Sequence, residues 1–296
     1  MWKTILEEVF DDLLRFLFSY ADKEYDLHRG FEFLDKELAK ICPEADKPAD
    51  TRIADKLVKV YTRDGKEEWI LIHVEIQGDT SKKEGFAERM FRYFYRILDK
   101  YHKPVSAVAI FTGRHGQTMP NRYEYSCGGT SLIYRYHTLS ILDYSEEGLW
   151  YLDNPFAIVL MAARTALLKG TVPEQFLQEK KLLIARQLLQ KNIPANKVRA
   201  IFAFLDNYIH LEDATLNLNF TQQVEHLDHK NYNMGIIEYL QQEAREEGLK
   251  TGQKEERERL TRSLLEKSEL SVTKIANLIG VSTYFVNKIK KQLRLN

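Results

Sequence analysis

The segment from residue 55 to residue 77 contains residue types that could hold a divalent cation. It reads DKLVKVYTRDGKEEWILIHVEIQ, with Asp55 at its start and Glu75 and Gln77 at its end. Hard cations such as Mg²⁺ take oxygen ligands, and carboxylates supply them. An acidic pair at the end of an apolar run is costly to build without a use for it. The segment therefore predicts a metal site that includes Asp55 and Glu75.

Two β-strands must position these acids, and the turn between them is visible in the sequence. Asp64 and Gly65 separate two β-prone runs, which is typical of a hairpin. Because side chains alternate across a strand, Glu75 and Gln77 share one face of the second strand. Asp55 reaches the same face if the strands pair around this turn. The intervening positions of the second strand are aliphatic and are predicted to face a core.

This stretch resembles the PD-(D/E)XK nuclease superfamily, in which an Asp on one strand and a Glu-x-Lys on the next bind magnesium. With the phrases FEFLDKEL, IADKLVKV, HVEIQG and FAERMFRYFYRI, it is more closely similar to the recombination-promoting nuclease family of transposase type, over about residues 7–112. The resemblance implies an α/β nuclease-like core, a mixed sheet flanked by helices, with Mg²⁺-dependent DNA cleavage of little sequence preference. It also implies that Asp55, Glu75 and the main-chain carbonyl of Ile76 hold the ion.

Gln77 stands where the superfamily has a lysine, although glutamine is common in the more closely similar family. A glutamine can hydrogen-bond a water or a phosphate oxygen, but it cannot take a proton and carries no charge. This departure affects the expected rate more than the expected metal site. His73 shares the face of Glu75 and offers a base or an outer ligand. A lone histidine inside a strand is, however, more often a structural hydrogen-bonding group.

Further acids precede the segment. Residues 2–19 repeat apolar positions at helical spacing and predict one opening helix. Its other side is predicted to be a solvated acidic face, formed by Glu7, Glu8, Asp11 and Asp12. Glu37 lies where FEFLDKEL leaves the core, and it is the candidate for an auxiliary acid of the metal site.

Residues 84–101 predict a crossover helix, and VSAVAIF at 105–111 predicts a buried strand, which together complete a βαβ unit. The more polar side of this helix is predicted to carry Arg89, Arg92, Tyr93 and Arg96. These residues could contact a DNA phosphate or replace the charge of the missing lysine, and the alternative is a solvated basic face. Arg89 is the best candidate for a DNA contact. A tyrosine-rich hairpin over 122–127 and 131–138 is predicted to flank the sheet.

Four regions follow from the pattern along the chain. Residues 1–150 form the nuclease-like domain. Residues 151–237 form a helical extension with amphipathic helices at 156–169, 173–190 and 197–210, which packs on that domain or on a second subunit. Residues 238–269 are rich in charge and predict a solvated linker helix. Residues 270–296 form a tail.

The tail contains VTKIANLIGVSTYFVNKIKK, which resembles a helix-turn-helix. Gly280 suits the tight turn, because glycine accepts positive φ, and Ser282 can cap the second helix. The outward positions predicted to contact DNA are Thr283, Tyr284, Asn287, Lys288 and Lys291. Such motifs also dock proteins, but five basic residues and no acidic one after Glu269 favour DNA.

Composition narrows the class of protein without selecting a partner. The 296 residues carry 43 basic and 43 acidic side chains, so the net charge favours no partner class. Two cysteines without metal spacing, and no apolar run long enough for a bilayer, favour a cytoplasmic protein without membrane contact. The first hypothesis is a Mg²⁺-dependent DNA endonuclease, and a homodimer would suit double-strand cutting. The alternatives are a DNA-binding regulatory protein with an inactive nuclease-like core and a scaffold whose tail docks protein.

Overall fold

The structure is a computed structural model that describes the backbone of residues 1–41, 53–75, 85–231, 256–265 and 270–293. Side chains are described over 1–40, 55–72, 85–224, 256–265 and 270–293. The chain divides into two compact units, Met1–Ile236 and Ile237–Asn296.

The first unit combines one mixed sheet with helices. The helices of this unit are α1 (Trp2–Glu8), α2 (Phe10–Leu17), α3 (Ala21–Glu24), α4 (Asp35–Ile41), α5 (Phe86–Tyr101), α6 (Glu146–Tyr151), α7 (Pro155–Ala166), α8 (Glu174–Gln190), α9 (Ala195–Tyr208) and α10 (Ala214–Asn231). The strands are β1 (Glu32–Phe33), β2 (Ile53–Tyr61), β3 (Glu67–Glu75), β4 (Val105–Phe111), β5 (Arg122–Cys127), β6 (Thr130–Arg135) and β7 (His137–Ser140). The predicted α/β class with a mixed sheet flanked by helices is confirmed.

The main sheet has five strands in the order β1-β2-β3-β4-β7. The first three strands are antiparallel, whereas β4 runs parallel to both β3 and β7. The parallel connection from β3 to β4 passes through α5, as the βαβ prediction requires. At the turn between β2 and β3, Gly65 has a φ of 83°, a conformation that glycine adopts without steric cost.

Both faces of this sheet are buried. One face packs against α5 in an aromatic core that includes Leu57, Trp69, Leu71 and Phe111. The opposite face carries aliphatic residues such as Ile70 and Ile72, which are fully buried. On that side α1 contacts β2. The face that carries the predicted site is the one that packs against α5, so a helix covers it.

The tyrosine-rich segment forms a hairpin and then returns to the sheet. β5 and β6 pair as a separate two-stranded sheet, with Gly128 and Gly129 at positive φ in the turn. Such paired positive angles match the twist of a hairpin. The ring of Tyr123 stacks on Phe91 of α5 at 5.2 Å. The hairpin thus covers a side of α5 that the sheet leaves open.

Two local predictions were wrong. The opening helix is two helices that meet at Val9, whose φ is −119°. Tyr93, expected on the polar side of α5, is 2% exposed and belongs to the aromatic core. Tyr93 lies three residues after Met90 and four before Ile97, so it belongs to the buried stripe of α5.

The helices after residue 151 pack on the opening helices. Trp2 of α1 meets Phe204 of α9 edge to face, with ring centroids 5.0 Å apart, and α2 contacts α7. Asn154 caps α7 by accepting a hydrogen bond from the backbone N–H of Phe156. This region, expected to pack on the nuclease-like domain or on a second subunit, therefore packs on residues of the same unit.

In the second unit, the structure describes a helix over 256–265 (α11), then α12 (Val272–Ile279) and α13 (Thr283–Leu293). Ile275, Ala276 and Val286 form the small core between α12 and α13. Most of the predicted linker helix at 238–269 lies outside the described residues. Within the described ranges, no helix has the length and apolar character needed to cross a bilayer.

Candidate functional site

The pairing of β2 with β3 fixes where the two predicted acids lie. Asp55 is directly opposite His73, and Glu75 is directly opposite Ile53. Residues opposite each other in an antiparallel pair share a face, so Asp55, His73 and Glu75 occupy the same face. Asp55 and Glu75 are diagonal neighbours, a relation in which Cβ atoms lie roughly 7 Å apart. This agrees with the arrangement expected from the hairpin.

Asp55 lies at the end of an apolar surface. It is 2% exposed, and the next residue on its face, Leu57, is fully buried. A carboxylate removed from water is expensive unless it is hydrogen-bonded, paired with a cation or protonated. Its burial distinguishes Asp55 from an acid on a solvated strand.

Arg89 lies at the same end of this face as Glu75. Glu75 is aligned with Phe111 in the parallel pairing of β3 and β4. The Phe111 ring contacts Phe86 at 5.3 Å, and the Arg89 guanidinium carbon lies 5.2 Å from the centre of the Phe86 ring. The first turn of α5 therefore brings a positive charge toward the carboxyl end of β3.

The charge of Arg89 also acts on a buried phenol in this region. Burial raises the pKa of Tyr136, and the nearby positive charge of Arg89 opposes part of that rise. By contrast, Arg92, one turn later, is exposed and forms an ion pair with Glu88. Of the arginines predicted on α5, Arg89 is thus the one placed beside the candidate site.

Lys56 follows Asp55 directly, but its side chain lies on the opposite face of the sheet. It pairs with Ile72, on the aliphatic face, and is 1% exposed. Its Nζ lies 2.6 Å from Asp35 Oδ2 and also contacts Glu7. Because these two acids hold its ammonium group, Lys56 does not contribute to the face that carries Asp55.

Glu37 lies in the first turn of α4. Its negative charge contributes to the raised pKa of Tyr101, after the larger effect of burial. The Tyr101 ring lies 4.6 Å from Trp69, six residues before Glu75 on β3. The auxiliary role of Glu37 at the metal site stays a prediction.

Part of the predicted site falls beyond what the structure describes. The backbone of Glu75 is described but its side chain is not, and Ile76 and Gln77 lie outside the described residues. The same holds for the side chain of His73. Among the side chains that are described, no group of three or more His, Cys, Asp or Glu is arranged to hold a metal. The convergence of Asp55, Glu75 and Gln77 on one ion stays a prediction.

The tail presents the predicted DNA-contacting residues on one exposed surface. Gly280 has a φ of 70° and ends α12, and Ser282 Oγ accepts a hydrogen bond from the Phe285 N–H at 3.2 Å. Val286 and Ile289 of α13 are buried. The residues of α13 that are exposed include Thr283, Tyr284, Asn287, Lys288 and Lys291.

Of the four acids predicted to form a solvated face, Glu7 and Glu8 of α1 are exposed, but Asp11 and Asp12 of α2 are not. Asp12 is 6% exposed. Lys197 Nζ of α9 lies 2.6 Å from Asp12 Oδ2 and 2.7 Å from Asp11 Oδ1. Arg15 adds a contact of 2.9 Å to Asp11 Oδ2. Asp12 lies three residues after the buried Val9, a spacing that puts both residues on one side of a helix. The sequence therefore contained a signal that Asp12 is buried.

The pKa values of Asp11 and Asp12 are shifted in opposite directions. Burial works to raise the pKa of Asp11, but hydrogen bonds and charges from Lys197 and Arg15 outweigh it, and the pKa is lowered. Burial also raises the pKa of Asp12, and there it prevails, helped by the negative charge of Asp11. The cluster therefore contains one carboxylate that is well compensated and one that is not.

Comparison with protein-family models, with curated proteins and with solved structures finds no match to this chain.

Proposed function

We propose that this chain is a metal-dependent DNA endonuclease, of the recombination-promoting or transposase type that its sequence resembles. The observation that carries the proposal is the register of β2 and β3, which puts Asp55 and Glu75 at diagonal positions on one face. Two acids that occurred by chance in the sequence would not need to share one face of a hairpin. Asp55 is also 2% exposed, so it does not belong to a solvated strand face.

In the proposed site, Asp55, Glu75 and the carbonyl of Ile76 would hold Mg²⁺. The ion would lower the pKa of a bound water and neutralise charge on the scissile phosphate. Gln77 orients the attacking water or a phosphate oxygen by hydrogen bonding. Arg89 supplies a fixed positive charge at the same end of the sheet, where a guanidinium can bind a phosphate oxygen.

The decisive experiment measures nicking of supercoiled plasmid by purified protein with and without Mg²⁺. Asp55→Asn and Glu75→Ala are compared with Glu67→Gln, a matched control at the other end of β3. We expect the site variants to lower the rate about 100-fold or more and the control to keep it. Cleavage by Glu75→Ala at the wild-type rate would show that a contaminant cuts the DNA and that the proposal fails.

Gln77→Lys tests the role given to Gln77. A lysine at this position restores a charge and a group that can exchange a proton, so we expect cleavage to become about tenfold faster or more. Gln77→Ala should be slower than the wild type. Equal rates for all three proteins would exclude residue 77 from the chemistry.

The exposed surface of α13 favours a second candidate, a DNA-binding regulatory protein whose nuclease-like core does not cut. Here the two-helix tail acts as a helix-turn-helix, with α13 in the major groove. Each lysine that contacts a phosphate contributes about one unit to the salt dependence of binding. We expect Lys288→Ala and Lys291→Ala to reduce that slope, whereas Arg259→Ala, on the preceding helix, should not.

Truncation after Glu269 separates the two candidates. An endonuclease keeps Mg²⁺-dependent cleavage through its first unit and loses only part of its DNA affinity. A regulatory protein loses DNA binding and shows no cleavage before or after truncation. If truncation changes neither property, the tail serves some other partner and the DNA-binding role of α13 is wrong.

A further inference from the structure

A cavity of about 310 Å³ opens at the edge of the main sheet where β4 and β7 end. Arg114, three residues after the end of β4, lines one side of this cavity, and Leu142, two residues after the end of β7, lines another. The last turn of α7 and the residues after it complete the wall. In α/β proteins, the crevice outside the carboxyl ends of parallel strands is where ligands usually bind.

Two guanidinium groups line this cavity. Arg164 belongs to the last turn of α7 and donates to the Ile141 carbonyl at 3.4 Å, and Arg114 donates to the Leu167 carbonyl at 2.6 Å. Each of these contacts uses one nitrogen of a group that has five N–H donors. Neither acceptor carries a formal charge. Two cations held in place by neutral carbonyls keep their positive charge available to a ligand.

The negative charge of the acid that lines the cavity is already paired with a cation. Glu146 also faces the cavity, but its carboxylate forms an ion pair with Lys180 of α8. The hydroxyl groups of Thr165 and Thr171 add polar character, and Leu142, Leu167 and Leu168 supply apolar walls. The lining thus combines a net positive charge with apolar surface. This combination fits a ligand that has both an anionic group and an apolar body.

We propose that this cavity binds a phosphate group attached to a small organic body, as in a nucleotide or at the end of a nucleic-acid strand. Arg114 and Arg164 bind the phosphate oxygens, since guanidinium groups match phosphate in charge and geometry. The leucine side chains contact the sugar or base. The volume lies at the lower end of the range for ligand pockets, roughly 300–1,000 Å³, which suits a mononucleotide unit rather than a longer segment.

The experiment is isothermal titration calorimetry on the full chain with EDTA present, so that DNA cleavage plays no part. The probes are inorganic phosphate, deoxyadenosine 5′-monophosphate, and one short oligonucleotide with either a 5′-phosphate or a 5′-hydroxyl. We expect the monophosphate to bind and Arg114→Gln to weaken that binding about tenfold or more. Arg164→Gln should act in the same direction. Arg122→Gln, an exposed arginine paired with Glu124 on the hairpin, is the matched control.

The oligonucleotide pair identifies the source of the phosphate. Tighter binding of the 5′-phosphorylated strand, lost in Arg114→Gln, indicates a strand end, whereas equal binding of both strands with retained monophosphate binding indicates a free nucleotide. The inference is overturned if no phosphate compound binds at millimolar concentration, or if Arg122→Gln weakens binding as much as Arg114→Gln. Arg114 is exposed, so its variant decides the question even if Arg164→Gln fails to fold. Failure of the endonuclease proposal leaves this result unchanged.

Discussion

Replacement of Lys197 by methionine tests whether the ionic cluster at the start of the chain holds the later helices in place. The ammonium group lies within 2.8 Å of three carboxylate oxygens of Asp11 and Asp12, and the lysine side chain is 15% exposed. Methionine keeps most of the apolar stem of the lysine, but the two neighbouring carboxylates then depend on Arg15 for a nearby positive charge. Removing one partner of a buried pair costs about 3–5 kcal/mol.

Partial exposure and the remaining Arg15 reduce this cost. Asp11 is 24% exposed and Arg15 stays 2.9 Å from it, so we expect Lys197→Met to lower the free energy of unfolding by about 2–3 kcal/mol at pH 7. For a unit of this size, that corresponds to a loss of about 4–12 °C in melting temperature. Urea unfolding followed by tryptophan fluorescence measures the loss of unfolding free energy. Trp2 reports on this region because it lies against Phe204 of α9, the helix that carries Lys197.

The pH dependence separates a charge effect from a packing effect. The lowered pKa of Asp11 stabilises the fold above its ordinary value of 3.8, and this contribution disappears as pH falls through the lowered pKa. Lys197→Met removes much of that contribution, so its deficit should be present from pH 7 to pH 4 and should shrink as the pH falls below 3.8, where Asp11 of the wild type takes up a proton. Lys66→Met, whose ammonium is exposed, should leave the midpoint unchanged. A deficit that does not shrink below pH 3.8 would refute the electrostatic reasoning.

Two further predictions concern buried charges. Asp12 has a raised pKa, so it stabilises the fold below pH 3.8 and loses this effect as pH rises, whereas Asp11 does the opposite. In urea unfolding at pH 7, Asp11→Asn should therefore lower the free energy of unfolding by about 1 kcal/mol. Asp12→Asn should not lower it. Lys181 is fully buried with Asp206 Oδ1 2.6 Å from its Nζ. Asp206→Ala should cost about 3 kcal/mol, because it leaves a buried ammonium, whereas Lys181→Met should cost less than about 1.5 kcal/mol. The reverse order in either pair would contradict the assignment of these charges.

The features that local pattern specifies could be predicted from the sequence. The Asp64-Gly65 turn and the alternation of β3 were enough to predict the hairpin and to put Asp55 and Glu75 on one face. Gly280 and the apolar spacing around it were likewise enough to predict the two helices of the tail. In each case the partners lie within about twenty residues, so chain geometry alone brings them together.

Long-range contacts could not be predicted in this way. Lys197 meets Asp11 across 186 positions, and no local pattern pairs them. Phe91 of α5 stacks on Tyr123 of a hairpin some thirty residues later, and the spacing of the helix gave no sign of that second cover. Arg114 and Arg164 converge only because β4 and α7 end at the same side of the first unit. Their separate sequence contexts are ordinary.

The two proposed sites share an edge of the sheet for a common structural reason. Glu75, Phe111 and Ser140 are aligned where β3, β4 and β7 end, and both the acid pair and the arginine-lined cavity follow from that edge. The α5-covered face offers carboxylates and Arg89, whereas the cavity, beside α7, offers two guanidinium groups and apolar walls. A carboxylate pair needs a cation before it can approach a phosphate, but guanidinium groups bind phosphate directly. Metal dependence should therefore distinguish the sites, since phosphate binding in the cavity should persist in EDTA while cleavage stops.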